Sequence, residues 1–109
     1  MPEQGAEEPK VTRGAVIEQL KNVNDPELMM NIVDLGLVYR VEVDEEKVEV
    51  DFTLTYPGCP ASEHIRREIV ATLEDFTGRD DVKVKLVWEP QWRPDFMSEE
   101  ARVSLGYPI

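Results

Sequence analysis

Hydrophobic and polar residues alternate with a period of two in three stretches of this chain, as in strands with one buried face. The stretches cover residues 37–43, 48–54 and 82–88. A short polar turn at residues 44–47 joins the first two, so these are predicted to form an antiparallel hairpin. The positions expected to face the core are Leu37, Tyr39, Val41, Val43, Val48, Val50, Phe52, Leu54, Val82, Val84, Leu86 and Trp88.

Three other segments show helical spacing or helix-capping residues. Thr12 is suited to cap a first helix, Pro60 to open a second that Gly78 ends, and Ser98 to cap a short third that Gly106 ends. Residues 25–36 follow neither period and are predicted to form a loop with a short helical turn. The predicted helical core positions are Val16, Ile17, Leu20, Val23, Ile65, Ile69, Val70, Leu73 and Phe76.

The element order α-β-β-α-β-α predicts an α+β fold built as a two-layer sandwich. We expect a three-stranded mixed sheet, made of an antiparallel hairpin plus a third strand, with helices mainly on one face. Residues 1–11 lack periodicity and are predicted to be a disordered acidic tail, which leaves residues 12–109 as a single domain.

The charge balance argues against several classes of function. Twenty-three acidic and 12 basic residues give a net charge of −11, which repels nucleic-acid phosphates. No apolar run is long enough for a membrane span, and no secretory signal pattern is present. A single cysteine excludes an intrachain disulfide, so a cytoplasmic location is expected.

Candidate chemistry centres on Cys59, which lies where the second strand turns into the second helix. Amide groups and the helix dipole at a helix start favour a thiolate, so we expect a lowered pKa and a reactive, partly exposed thiol. The alternative is a small buried apolar residue. His64 is the only histidine, and its helical offset from Cys59 argues against a catalytic pair, leaving a solvated helix residue.

Polar residues in the irregular segment and at the end of the second strand allow both structural and functional interpretations. Asp25, before Pro26, is suited to a turn or cap, and Thr53 and Thr55 to cross-strand hydrogen bonds. In the functional interpretation, the carboxylates of Asp25, Glu27 and Asp34 face the Cys59 loop and the threonines line it. Trp88 and Trp92 favour packing over cofactor stacking.

Three segments together form a specific pattern. Asp25-Pro26-Glu27 precedes residues 31–39, Thr53-Leu54-Thr55 precedes Pro57-Gly58-Cys59-Pro60, and a third segment covers residues 88–101. In these segments the chain resembles the SufT/PaaD-like family of iron–sulfur assembly proteins, whose relatives include the targeting subunit of the eukaryotic cytosolic iron–sulfur assembly machinery.

The resemblance implies a compact α/β domain that takes part in maturing iron–sulfur proteins, with assembly proteins and apo client proteins as partners. Cys59 matches the family's key cysteine and is the implied metal ligand. The cysteine-rich C-terminal extension of the phenylacetate-degradation members is missing from this sequence, which favours a general assembly factor. The other matching motif positions are Asp25, Glu27, Asp34, Thr53 and Thr55.

Ligand counting limits how such a protein acts. An iron–sulfur cluster takes four thiolates, or two thiolates and two histidines, and this chain has one cysteine. A labile cluster or iron bound through Cys59 therefore needs a homodimer, exogenous thiols or carboxylate ligands. Two alternatives to a non-catalytic assembly or transfer factor remain: a thiol-dependent enzyme with Cys59 as nucleophile, and a PaaD-like accessory subunit or adaptor that binds clients without holding a cluster.

Overall fold

The computed structural model describes residues 11–106 and contains the predicted three-stranded mixed sheet. The strands β3 (Val38–Val43), β4 (Val48–Phe52) and β5 (Val82–Leu86) lie side by side in that order. Strand β4 is antiparallel to β3 and parallel to β5, so helix α2 lies in the crossover between the parallel pair. The remaining elements are α1 (Arg13–Leu20), β1 (Asn24–Asp25), β2 (Met30–Asn31), α2 (Ser62–Thr77), a 3₁₀ helix (Pro94–Phe96) and α3 (Glu99–Leu105).

The core lies between one face of this sheet and helices α1 and α2. Alternate residues of β4 are buried, as the period-two pattern predicts. Helix α2 contacts both β5 and α1, and α1 contacts β3, which confirms the two-layer arrangement. The fully buried side chains from these elements include Val16, Leu20, Val48, Phe52, Ile65, Ile69 and Leu73.

The helix ends follow their capping residues. The Thr12 hydroxyl accepts a hydrogen bond from the Ala15 amide, and the Ser98 hydroxyl accepts one from Ala101. Gly78 adopts a left-handed conformation after α2, as predicted. These helix caps could be predicted from the sequence because each cap involves residues that are close together in the chain.

The other sheet face is charged. The Arg40 guanidinium donates to the carboxylates of Glu42, Glu49 and Asp51 at 2.6, 3.1 and 2.9 Å. Glu49 and Asp51 of the middle strand are paired in register with lysines of β5, Lys83 and Lys85. Opposite charges thus lie on neighbouring strands, an arrangement that suits a solvent-facing surface.

Arginine side chains also reach the two outer strands. Arg13 Nε donates to the Val41 carbonyl of β3 at 3.2 Å, and Arg66 donates to the Val84 carbonyl of β5 at 3.1 Å. Both bonds are partly buried, and they tie α1 and α2 to opposite edges of the sheet.

The segment from residue 25 to 36 differs from the predicted loop. Strands β1 and β2 form a two-residue antiparallel ladder that pairs Asn24 with Asn31 and Asp25 with Met30. Met29 closes the turn between them with a φ of 56°, a left-handed conformation. A ladder this short produces no detectable alternation in the sequence, which explains why it was not predicted.

Two aromatic side chains predicted for the core lie elsewhere. A register shift between Val38 and Arg40 breaks the alternation of β3, and the Tyr39 hydroxyl donates to the Pro90 carbonyl at 2.8 Å. Strand β5 ends at Leu86, so Trp88 lies beyond the sheet with 40% of its surface exposed. The predicted core position is therefore wrong for Trp88.

The predicted tail falls almost wholly on residues 1–10, which lie outside the described residues. Val11, the last residue of that prediction, packs against the core. Across residues 11–106, no helix combines the length and the apolar character that a membrane span requires.

A tight turn at residues 34–36 holds the C-terminal segment, residues 92–98, against the core. The Trp92 indole nitrogen donates to the Leu35 carbonyl, and the Ser98 amide donates to the Asp34 carbonyl, both at 2.8 Å. Gly36 directly follows these two acceptor residues with a φ of 76°, and a Cβ added there would lie 2.6 Å from the Phe96 carbonyl carbon. Glycine is therefore required for both conformation and close approach.

We expect Gly36→Ala to lower the free energy of unfolding by about 2–4 kcal/mol, because it adds a backbone clash to an unfavourable φ. Gly78→Ala is the matched control, since Gly78 has a similar φ of 71° but open space around it. That change should cost about 1 kcal/mol. Urea denaturation of both variants checks this, and equal losses would contradict the close-contact argument.

Candidate functional site

Cys59 lies in the loop between β4 and α2, two residues before the helix cap. Helix α2 begins at Ser62 with Ala61 as its N-cap, so Pro60 is not the first helical residue. The thiol residue is buried, with 4% of its surface exposed. The predicted place of Cys59 at the turn from strand to helix is confirmed, although it lies two residues before the N-cap and not at or next to it. The predicted partial exposure is wrong.

The side chain of Glu27 is the thiol's hydrogen-bond partner. Cys59 Sγ lies 3.4 Å from Glu27 Oε1 and donates to it. The Tyr56 hydroxyl donates to the same oxygen at 3.2 Å and approaches the second oxygen at 3.4 Å. One carboxylate thus accepts from two groups of the Cys59 loop, across a separation of about 30 residues in the sequence.

The surroundings raise the pKa of the Cys59 thiol above its ordinary value. Burial is the main cause, and the hydrogen bond to Glu27 and the charges of Glu27 and Asp25 act in the same direction. The Ala61 amide favours the thiolate but does not reverse the shift. The predicted lowering of the thiol pKa is therefore wrong, because carboxylates and burial outweigh the amide at the helix start.

Asp25 places Glu27 at the thiol. Its buried Oδ1 accepts hydrogen bonds from the amides of Glu27 at 2.8 Å and Leu28 at 3.3 Å, and its carbonyl accepts from Met29 at 2.8 Å. These bonds build the turn between β1 and β2. The structure thus confirms that Asp25 forms a turn. This turn places the Glu27 carboxylate against Cys59.

Asp34 has its contacts in a different turn. Its Oδ2 accepts from the Asn31 side-chain amide at 2.9 Å, and its own amide donates to Asn31 Oδ1 at 2.9 Å. No described hydrogen bond joins Asp34 to the Cys59 loop. This carboxylate shapes the turn that receives the C-terminal segment.

The two threonines differ in their surroundings. Thr53 is fully buried, and its hydroxyl has no hydrogen-bond partner among residues 11–106. Its amide donates to the Leu37 carbonyl at 2.8 Å, which extends the pairing of β4 with β3 towards the loop. Thr55 instead lines a surface groove next to Cys59, together with Tyr56 and Trp88.

No ready-made metal site accompanies the thiol. Among the described residues, no three His, Cys, Asp or Glu side chains are grouped closely enough to hold a metal ion. His64 is exposed on α2, as predicted. Trp92 is partly buried and hydrogen-bonded to Leu35, which confirms its packing role.

Tyr56 and Trp88 belong to this region although the sequence did not assign them to the site. Tyr56 lies three residues before Cys59, so its proximity was a usable signal. Trp88 lies at the same groove as Tyr56 because the Val87 amide donates to the Phe52 carbonyl at 2.8 Å, which continues the parallel pairing beyond β5. That contact depends on strand order and is invisible in the linear sequence.

Comparison with known proteins links this geometry to a described family. The profile of a family described as "Iron-sulfur cluster assembly protein" matches residues 13–86. A "Fe-S protein maturation auxiliary factor" of Porphyromonas gingivalis is 41% identical over 97 residues, covering 88% of this chain and 92% of the relative. The "Fe-S protein maturation auxiliary factor SufT" of Staphylococcus aureus is 46% identical over 85 residues, covering 77% and 97%.

The fold also has a counterpart among solved structures. The crystal structure of a domain of unknown function from Bacillus anthracis superimposes with a TM-score of 0.82 at 34% identity. The match covers 88% of this chain and 92% of that one. The sheet and helices around Cys59 therefore belong to a fold already observed by crystallography.

We expect Glu27→Gln to lower the pKa of the Cys59 thiol, because it removes the negative charge beside Sγ. The midpoint of an alkylation-rate profile against pH should move to lower pH, with faster alkylation at neutral pH. Asp34→Asn is the matched control and should leave the profile unchanged. An unchanged profile for Glu27→Gln would show that burial alone sets the thiol pKa.

Proposed function

This chain belongs to the family of iron–sulfur cluster assembly proteins, and from that premise we propose that it is a maturation auxiliary factor acting through Cys59. Its cargo is iron or a labile iron–sulfur cluster, passed between assembly proteins and apo client proteins. The proposal is supported most directly by the pairing of the single thiol with Glu27 in a shielded loop.

The pair of Cys59 and Glu27 suits reversible metal binding. A metal binds thiolate, so the thiol must lose its proton when cargo binds. Glu27 Oε1 already accepts the hydrogen bond from Sγ and is placed to take that proton. Because the free thiol is held in its protonated form, cargo affinity should be modest and should rise with pH.

One chain provides too few ligands to keep a cluster. Cys59 contributes one thiolate, and the Asp25 carboxylate is engaged by two backbone amides. The remaining ligands must come from a second copy, small thiols or a partner protein. Incomplete ligation favours transfer over storage, and a reducing compartment such as the cytoplasm would keep the thiol available.

The burial and protonation of the Cys59 thiol also bear on the two alternative functions, a thiol enzyme and an adaptor. A protonated, buried thiol is a weak nucleophile at neutral pH, so we propose that the protein is not a thiol enzyme. The burial of Cys59 favours one second candidate, an adaptor that binds client proteins without ever holding a cluster. Reconstitution distinguishes this adaptor from a carrier.

We expect anaerobic incubation with iron and sulfide to give a visible-region absorption band that is lost in Cys59→Ser. His64→Ala should behave like the unaltered protein, because that side chain is exposed on α2. Absorption spectroscopy with iron analysis of the desalted protein measures both. A band of equal intensity in Cys59→Ser would refute the role of the thiol, and the lack of any band in the unaltered protein would favour the adaptor.

The cluster-bearing form is expected to be a homodimer or a mixed complex. Charge repulsion from the net charge of −11 opposes association of the apo protein at low salt, so shared cargo should drive it. Light scattering before and after reconstitution should show the mass doubling in parallel with absorption. A fully loaded monomer without added thiol would contradict the ligand count.

A further inference from the structure

A groove of about 380 Å³ lies beside the Cys59 loop, between the segment that follows β4 and the segment that follows β5. We call it the aromatic groove; its walls include Thr55, Tyr56, Pro57, Trp88, Glu89 and Gln91. Tyr56 and Trp88, which are 45% and 40% exposed, line this groove together. Such exposure marks an interaction surface.

We propose that the aromatic groove binds a short extended segment of a partner protein that carries a lysine or arginine between apolar residues. This inference rests on the proposed function, because it assigns to the maturation factor the chemistry by which a partner is recognised next to Cys59.

Charge complementarity decides the kind of segment. Glu89 is the charged residue among those lining the groove, and no lysine or arginine accompanies it there. The Glu27 carboxylate lies behind Tyr56 and bonds to its hydroxyl. A cation entering the groove meets aromatic side chains and the Glu89 carboxylate, the two kinds of group that attract lysine and arginine.

The size and the overall charge argue against other occupants. The volume is enough for two or three side chains and too small for a folded domain. A second copy of this chain would bring another net charge of −11 to an acidic groove, which is unfavourable at low salt. Apolar neighbours of the cation would cover the exposed rings of Tyr56 and Trp88.

The test uses a fluorescein-labelled hexapeptide of alternating leucine and lysine, with a leucine–glutamate hexapeptide as reference. Fluorescence anisotropy should show saturable binding of the first and none of the second. We expect Trp88→Ala to weaken binding about tenfold, as for a central interface aromatic. Trp88→Phe should restore most of the affinity, which separates loss of the ring from loss of the fold.

Two control variants separate groove binding from general attraction to an acidic protein. Phe96→Ala removes an exposed ring outside the groove, and Glu63→Gln removes an exposed charge on α2. Both should bind the lysine peptide normally, whereas Glu89→Gln should bind it about threefold more weakly at low salt. Equal effects of Glu63→Gln and Glu89→Gln, with none from Trp88→Ala, would overturn the proposal.

Cargo binding is measured on the same variants. A failure of the groove inference can then be distinguished from a failure of the proposed function. Cys59→Ser should bind the peptide normally, and Trp88→Ala should still take up iron and sulfide. Reconstitution without peptide binding would overturn the groove inference alone. If Trp88→Ala abolished self-association of the protein while peptide binding was absent, the occupant would be a second copy and this inference would be wrong.

Discussion

Strand β4 is the element on which the rest of the described structure depends. It is the middle strand of the sheet, pairing with β3 on one side and β5 on the other. Its buried side chains Val48, Val50 and Phe52 supply the centre of the core, while Glu49 and Asp51 hold the charged outer face. A register slip of one residue would exchange these two sets, so burial fixes the register strongly.

The direction of β4 also determines where the thiol lies. The chain leaves β4 at Phe52, passes through the buried Thr53 and Leu54, and reaches Cys59 before α2 begins. The parallel partner β5 brings Trp88 to the same end of the sheet. The loop that holds the thiol and the exposed Trp88 therefore lie at the same end of the sheet because of one strand pairing.

The short-range features of this chain and its overall sheet could be predicted, whereas the surroundings of individual side chains could not. The alternation of β4 and the caps at Thr12, Ser98 and Gly78 depend on residues a few positions apart, and the structure confirms them. The raised pKa of the Cys59 thiol depends first on burial by the tertiary fold and then on Glu27, which is 32 residues away in the sequence. The sequence did suggest that Glu27 faces the Cys59 loop, and the structure confirms this contact. The direction of the thiol pKa was nevertheless wrong, because that prediction weighed the amides of the helix start and not the burial of the loop or the charge of Glu27.

The two arginine bonds at the sheet edges have a consequence for how the protein behaves when crowded. An outer strand with free carbonyl groups can recruit a strand from another molecule and begin aggregation. Here Arg13 occupies the Val41 carbonyl and Arg66 occupies the Val84 carbonyl, and both guanidinium groups add charge at the edge. Each outer strand therefore offers one carbonyl fewer to an incoming strand and carries a positive charge beside it, two features that oppose edge-to-edge pairing.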